Sequence, residues 1–279
     1  MIHLVDCTLR DGEQAPGVAF STAEKVEIAR LLDLTGVSQI EAGTPAMGEI
    51  EQEAIRAIVA QGLSAQVSTW NRLLPGDVEA SLACGVKLVH LSGPASDLHL
   101  QSKLGKSRSW VLGAIKEVVA GARARGLEVT IGAEDASRAD REFLVTIGQA
   151  AAAAGAVRLR YADTVGALEP FRACRELAYL RQRCGLELEF HGHNDFGLAL
   201  ANTLAAARAG VKYLDVTVLG LGERAGNAPL AATAASLTRT GRFEVEIDFR
   251  RLPALTAAVK KALEPAACQA PPDRARAAG

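Results

Sequence analysis

Short apolar runs alternate along this chain with longer stretches of helical periodicity, and the alternation returns eight times. Residues 2–6 predict a first strand. Ser21-Thr22-Ala23-Glu24 then has the form of a capping box, and Val26, Ile28, Ala29, Leu31 and Leu32 follow at helical spacing, with Gly36 closing the helix. Residues 37–42 predict a second strand, 49–60 a helix, 65–69 a third strand and 76–83 its helix. The unit repeats with strands at 86–91, 127–131, 157–161, 187–190 and 213–217. The helices between them fall at 109–124, 138–154, 168–183 and 197–209, and a last one begins near Pro229.

Eight strand-then-helix units separated by short loops predict an α/β fold, a (β/α)8 TIM barrel. The competing architecture is an open doubly wound sheet. Its GxGxxG turn is absent after the first strand, where Arg10-Asp11-Gly12-Glu13-Gln14 stands instead, and the glycines of residues 220–226 have the wrong spacing and come after the last strand. The pattern assigns residues 1–251 to the barrel. Residues 252–263 predict one more helix, and 264–279, rich in Ala, Pro and Arg, read as a disordered tail.

Composition narrows the setting. A chain of 279 residues, 49% hydrophobic and with a formal net charge of −1, suits a soluble globular protein with a large core. It gives no electrostatic reason to expect nucleic acid or an anionic membrane as partner. Five cysteines without CxxC spacing argue against a disulfide framework and a structural zinc knuckle. Asp6 and Arg10 interrupt any early apolar region, and no stretch reads as a membrane span, so the expectation is cytoplasmic.

Candidate chemistry centres on His191-Gly192-His193-Asn194-Asp195, directly after the strand at 187–190. Side chains in a strand repeat every second residue, so His191 and His193 point to one side and can share a metal ion. Asp11, at the end of the first strand-like run, is the best third ligand. In a barrel the C-terminal strand ends meet on one face. That rim would collect Arg10 and Asp11 after strand one, Glu41 ending strand two, Arg72 after strand three and His90 ending strand four. Glu134 follows strand five, Thr164 strand six and Asn227 strand eight. Taken singly, Glu41, Arg72 and His90 are equally open to a structural role. Asp97, His99 and Lys103 read as residues of a long polar loop, and His3 as a surface or strand-packing residue.

Four motifs carry a resemblance: residues 6–14 (Asp-Cys-Thr-Leu-Arg-Asp-Gly-Glu-Gln), 162–166 (Ala-Asp-Thr-Val-Gly), 191–195 and 220–228 (Gly-Leu-Gly-Glu-Arg-Ala-Gly-Asn-Ala). In this order they resemble the DRE-TIM metallolyase superfamily, and within it the isopropylmalate, citramalate and homocitrate synthases. Residues 15–20, 42–48 and 69–72 resemble the homocitrate synthases associated with nitrogen fixation. The resemblance implies a Claisen-type condensation of acetyl-CoA with a 2-oxo acid, 2-oxoglutarate first. It implies a divalent cofactor, Mg2+, Mn2+ or Zn2+, on Asp11, His191 and His193 with Asn227 completing the ligands. Arg10 would stabilise the developing oxyanion, Glu134 would help remove the methyl proton, and Thr164 and His90 would hold the oxo acid. Glu41 joins this substrate-binding set, and Arg72 would grip a distal carboxylate. Arg224 is open to a structural role, paired with Glu223 or another rim carboxylate.

The same resemblance implies a linker and a lid domain after the barrel, with a catalytic histidine delivered in a swapped homodimer. No histidine follows His193, and Pro271-Pro272 resembles the start of that linker. A homodimer or a separate lid-bearing subunit is therefore the expected partner. Three other readings stay open: an acyl-CoA lyase on the same barrel, a barrel subunit inactive without its partner, and an Fe(II) oxygenase, whose facial triad also uses two His and one carboxylate.

Overall fold

A computed structural model describes residues 1–264. The disordered tail expected over residues 264–279 lies outside the described residues from 265 on, Pro271-Pro272 of the expected linker included. Eight strands, β1 (His3–Asp6), β2 (Gln39–Glu41), β3 (Gln66–Arg72), β4 (Leu88–Pro94), β5 (Glu128–Glu134), β6 (Arg158–Asp163), β7 (Glu187–Gly192) and β8 (Tyr213–Val216), pair in sequence order into a closed barrel. All pairings are parallel, and β1 closes on β8 with Leu4 opposite Leu214. This is a (β/α)8 TIM barrel.

Helices α1 (Thr22–Thr35), α2 (Glu49–Val59), α3 (Pro75–Ala83), α4 (Asp97–His99), α5 (Arg108–Ala124), α6 (Arg141–Ala154), α7 (Pro170–Arg181), α8 (Ala199–Arg208), α9 (Leu230–Arg239) and α10 (Leu252–Ala262) supply the connections and the last element. The capping box of α1 is present: Ser21 Oγ accepts from the Glu24 N–H, and the Glu24 carboxylate accepts from the Ser21 N–H at 2.7 Å. Among the described residues no helix is long and apolar enough to cross a membrane.

The strands read with period two. Leu159 and Tyr161 of β6, and Leu188 and Phe190 of β7, join Ile28, Leu32, Ile55, Ile58 and Ile115 of the helices in one apolar core. Burying each such side chain contributes roughly 1.5–3 kcal/mol. The alternate positions, Arg158, Arg160, Glu189 and His191, are equally buried but charged or polar. Arg158 Nη2 donates to Gln39 Oε1 at 2.6 Å and Arg160 Nη2 to Glu41 Oε2 at 2.7 Å. Since β2 and β6 do not neighbour each other in the sheet, these bonds cross the lumen. Barrel interiors are usually filled by bulky branched apolar side chains. Here much of that space is given to paired charges.

Two sequence expectations change at the mouth of the barrel. Strands β3, β4 and β5 each run three residues further than their apolar runs suggest. His90 therefore sits inside β4 rather than at its end, and Arg72 and Glu134 are the last residues of β3 and β5. Gly93 and Pro94 look like strand breakers, yet they pair with Ala133 and Glu134 at the rim. The long polar loop containing Asp97, His99 and Lys103 is instead helical: α4, capped by Ser96 Oγ on the His99 N–H, runs into a wider turn over Leu100–Leu104.

Asp6, fully buried at the end of β1, generates a pH prediction. Burial, opposed by hydrogen bonds from Thr8 and reinforced by Asp215, lifts its carboxyl to about 7. The native state thus holds this proton more tightly than the unfolded chain. The stability it contributes is full below the unfolded value near 4 and is lost as pH rises through 7. Between pH 5 and pH 8 the wild type should lose roughly 2–3 kcal/mol relative to Asp6→Asn in urea unfolding. Parallel stability curves for the two proteins would show that Asp6 does not titrate in this range.

Candidate active site and metal centre

β7 delivers His191 and His193 to one side, as the alternation requires, with their Nε2 atoms 3.2 Å apart. β1 leads through a tight turn into a 3-10 helix at Gly12–Gln14, and this places Asp11 against them. Asp11 Oδ2 lies 3.1 Å from His191 Nε2 and 3.8 Å from His193 Nε2. All three residues are buried, and their ligand atoms lie within 4.8 Å of one another.

The surrounding groups fit a cation. Asp215 Oδ2 sits 2.8 Å from His191 Nδ1, which holds a proton on that nitrogen and turns the Nε2 lone pair toward Asp11. Asn227 follows β8 and bridges to His193, and its Nδ2 donates to the Leu221 carbonyl at 3.0 Å. Its Oδ1, buried, has no hydrogen-bond partner among the described residues. Gly222 permits this packing, because a Cβ there would meet Asn227 Nδ2 at 2.0 Å and Asp11 Oδ1 at 2.9 Å. Mixed imidazole and oxygen donors match the chemistry of Zn2+, Mn2+ or Mg2+.

The electrostatics agree. Burial opposes ionisation of Asp11, but Arg10 and the His191 hydrogen bond outweigh it and hold the carboxyl well below its usual range. Burial likewise opposes charge on His191, yet Asp11 and Asp215 raise it to about 9. Burial and the neighbouring His191 push His193 down to about 4. Four buried carboxylates (Asp11, Glu41, Glu189, Asp215) face three guanidiniums (Arg10, Arg158, Arg160). The surplus negative charge is met by a proton on His191 or by a bound cation.

A cavity of about 300 Å3 opens over the triad, lined among others by Arg10, Trp70, His90, Glu134 and Thr164. Arg10 gives Nε to Glu41 at 2.5 Å and Nη1 to Asp11 at 3.1 Å. His90 Nδ1 pairs with Thr130 Oγ1 at 2.9 Å; burial and then Arg160 keep the ring neutral. Gly132 makes room for it, since a Cβ would lie 2.5 Å from His90 Nε2. Thr164 Oγ1 accepts from the Asp135 N–H at 2.9 Å, which leaves its own proton to donate. Glu134 accepts from Ser92 Oγ at 3.2 Å and lies 3.8 Å from Lys103 Nζ.

Two expected residues stand apart. Glu41 does not line the cavity; it is completely buried between Arg10 and Arg160. Arg72 faces a second cavity of about 300 Å3 with Leu73, Leu74, Leu104 and Trp110, and Asp77 holds its guanidinium at two points, 2.9 and 2.8 Å. Arg224 pairs with Glu223 at 3.1 Å, a contact the sequence reading named, and with Asp195 at 2.8 Å. His3 stacks on Tyr213 with ring centroids 4.8 Å apart.

Sequence reasoning missed Arg160 and Asp215, which sit inside strands rather than at their ends. Arg160 Nε lies 3.1 Å from Asp215 Oδ2, and through it Asp11, Arg10, Glu41, Arg160, Asp215 and His191 close into a continuous ring of acid–base contacts. The signal that could have found them is charge at alternate positions of otherwise apolar strands: Arg158 and Arg160 around Leu159 in β6, and Asp215 between Leu214 and Val216 in β8.

Replacing His193 with Ala should cost divalent-metal affinity more than the roughly 10–100-fold that losing an outer hydrogen-bond partner costs. Chelator competition on the folded variant measures this. Unchanged affinity would place the ion elsewhere.

Comparison with known proteins adds the family. Over 250 residues the chain is 46% identical to 2-isopropylmalate synthase 2 of Caldanaerobacter subterraneus subsp. tengcongensis, covering 90% of this chain and 65% of that protein, just under two thirds of its length. It is 47% identical over 226 residues to homocitrate synthase subunit alpha of Clostridium pasteurianum, covering 81% of this chain and 84% of that one. HMG-CoA lyase of Bacillus subtilis superposes with a TM-score of 0.83 over 94% of this chain and 93% of its own, at 21% identity, a likeness of fold. The HMGL-like family matches residues 1–259, and with the triad, the closed barrel and the four motifs in order, the chain belongs to that family.

Proposed function

We propose that this barrel catalyses the Claisen-type condensation of acetyl-CoA with a 2-oxo acid, followed by hydrolysis of the product thioester by water, which releases CoA. The observation that carries the reading is the convergence of Asp11, His191 and His193 with Arg10 and Glu134 around one cavity. The relatives named as isopropylmalate and homocitrate synthases support the reaction class.

A divalent ion on Asp11, His191 and His193, with Asn227, would supply Lewis-acid polarisation of the 2-oxo carbonyl. Arg10 has Nε and Nη1 engaged, so its Nη2 donors are the ones left to meet the oxyanion that develops as the carbon–carbon bond forms. Because Glu41 and Asp11 fix the guanidinium before substrate arrives, little reorganisation is needed. Glu134 serves as base toward the acetyl methyl group, and Ser92 and Lys103 orient its carboxylate. The Thr164 hydroxyl and the neutral His90 ring hold the oxo acid.

2-Oxoglutarate is the oxo acid we favour, on the likeness to the homocitrate synthase subunit. Arg72, neutralised by Asp77, is replaced in this proposal by Lys103, which lines both cavities, as the cation for the distal carboxylate. A second reading is favoured by the name of that same relative: the barrel acts as one subunit and needs a separate partner for turnover.

Calorimetric titration of metal-loaded protein with 2-oxoglutarate and with 2-oxoisovalerate, followed by CoA release from acetyl-CoA, tests this. Preferential binding of 2-oxoglutarate with CoA release is expected; binding without release supports the two-subunit reading, and failure to bind either acid removes the assignment. Arg10→Ala should lower turnover by about 10²–10³-fold while the metal content stays near that of the wild type. Parallel loss of metal would show that Arg10 supports the metal centre instead.

A further inference from the structure

The ring of contacts, of which Arg10, Asp11, Arg160 and His191 line the cavity, has one member that touches both of its halves. Arg160, on β6 and only 3% exposed at its side chain, places Nη2 2.7 Å from Glu41 Oε2 and Nε 3.1 Å from Asp215 Oδ2, with Glu189 also on Nε. Glu41 in turn holds Arg10 Nε at 2.5 Å, and Asp215 holds His191 Nδ1 at 2.8 Å. One planar guanidinium therefore stands behind a substrate-facing arginine on one branch and a metal-facing imidazole on the other.

We propose that Arg160 is a positioning residue that sets Arg10 through Glu41 and His191 through Asp215, so that one side chain aligns the two halves of the reactive centre. The inference rests on the function proposed above, in which His191 holds the ion and Arg10 meets the oxyanion. The chemistry favours Arg at this place. Its donors lie in a rigid fork and can serve separate carboxylates at once, whereas a lysine offers a single ammonium centre on a flexible stem. Arg158 cannot substitute, because it is committed to Glu189 at 2.6 Å and to Gln39. The two carboxylates that Arg160 joins come from β2 and β8, which are not neighbours in the barrel. Without it the two stay joined only the long way round the ring, through Arg10, Asp11 and His191.

Three variants separate the branches: Arg160→Lys acts on both, Asp215→Asn on the metal side and Glu41→Gln on the Arg10 side. Zn2+ affinity is read by chelator competition on folded protein, and CoA release is read per metal-loaded site. Arg160→Lys should weaken Zn2+ binding by about 10–100-fold and slow CoA release by about 100-fold. Asp215→Asn should reproduce mainly the metal loss, and Glu41→Gln mainly the rate loss with Zn2+ affinity near the wild type. A merely structural Arg160 would lower the melting temperature and leave both readouts unchanged, which overturns the proposal. If Arg160→Lys does not fold, unchanged readouts in the other two variants overturn it equally. Equal Zn2+ affinity in the wild type and His193→Ala would instead sink the metal-centre reading beneath it.

Discussion

Everything at the mouth of this barrel depends on how charge is balanced in its lumen. Carboxylates and guanidiniums taken out of water are tolerable only when each meets a partner in good geometry, and removing one partner of a buried pair typically costs about 3–5 kcal/mol. The chain meets this condition with a ring of side chains from β2, β6, β7 and β8 and from the turn after β1, and these five strands form one continuous arc of the closed barrel. The apolar layer between strands and helices supplies the folding energy. The paired lumen fixes where the reactive groups stand, and it restricts which residues can be exchanged there.

The ring also explains the division of labour in the site. Asp11 is both a member of the ring and a candidate ligand, so its charge is fixed by Arg10 before any ion arrives. His191 is gripped from behind by Asp215, whereas the Nδ1 of His193 has no hydrogen-bond partner among the described residues. The two imidazoles are thus electrostatically unlike, one drawn toward protonation and the other kept neutral. A cation binding between them meets one ligand ready and one that must release a proton.

Much of this was legible in the sequence because its signals are local. The eight strand–helix units, the capping box at Ser21, and the His191/His193 alternation each need only a few consecutive residues. The long-range part was not legible. Arg160 stands in Arg-Leu-Arg-Tyr, where period-two alternation says that it is opposite Leu159 but not what it meets, and its partner Glu41 is 119 residues away. Arg72 misled for a related reason. Its place at the end of β3 suggested a carboxylate clamp, but the carboxylate it holds is Asp77, five residues on in α3. His90 is not the end of β4, because that strand runs on through Gly93 and Pro94, which the neighbouring β5 keeps in the sheet.

The second cavity has a different parentage from the ring. Its walls come from β3, β4 and β5 and the segments after them, with Trp70, Ser92, Pro94, Leu104 and Trp110 among its lining residues, and none of the six ring residues lies on those three strands. The charged ring and the second cavity therefore occupy different arcs of one barrel. Side chains on the Trp70–Trp110 arc can change in size and polarity without removing a partner from any ion pair of the ring. Such an architecture lets the wall of one cavity vary by drift while the charged ring stays fixed.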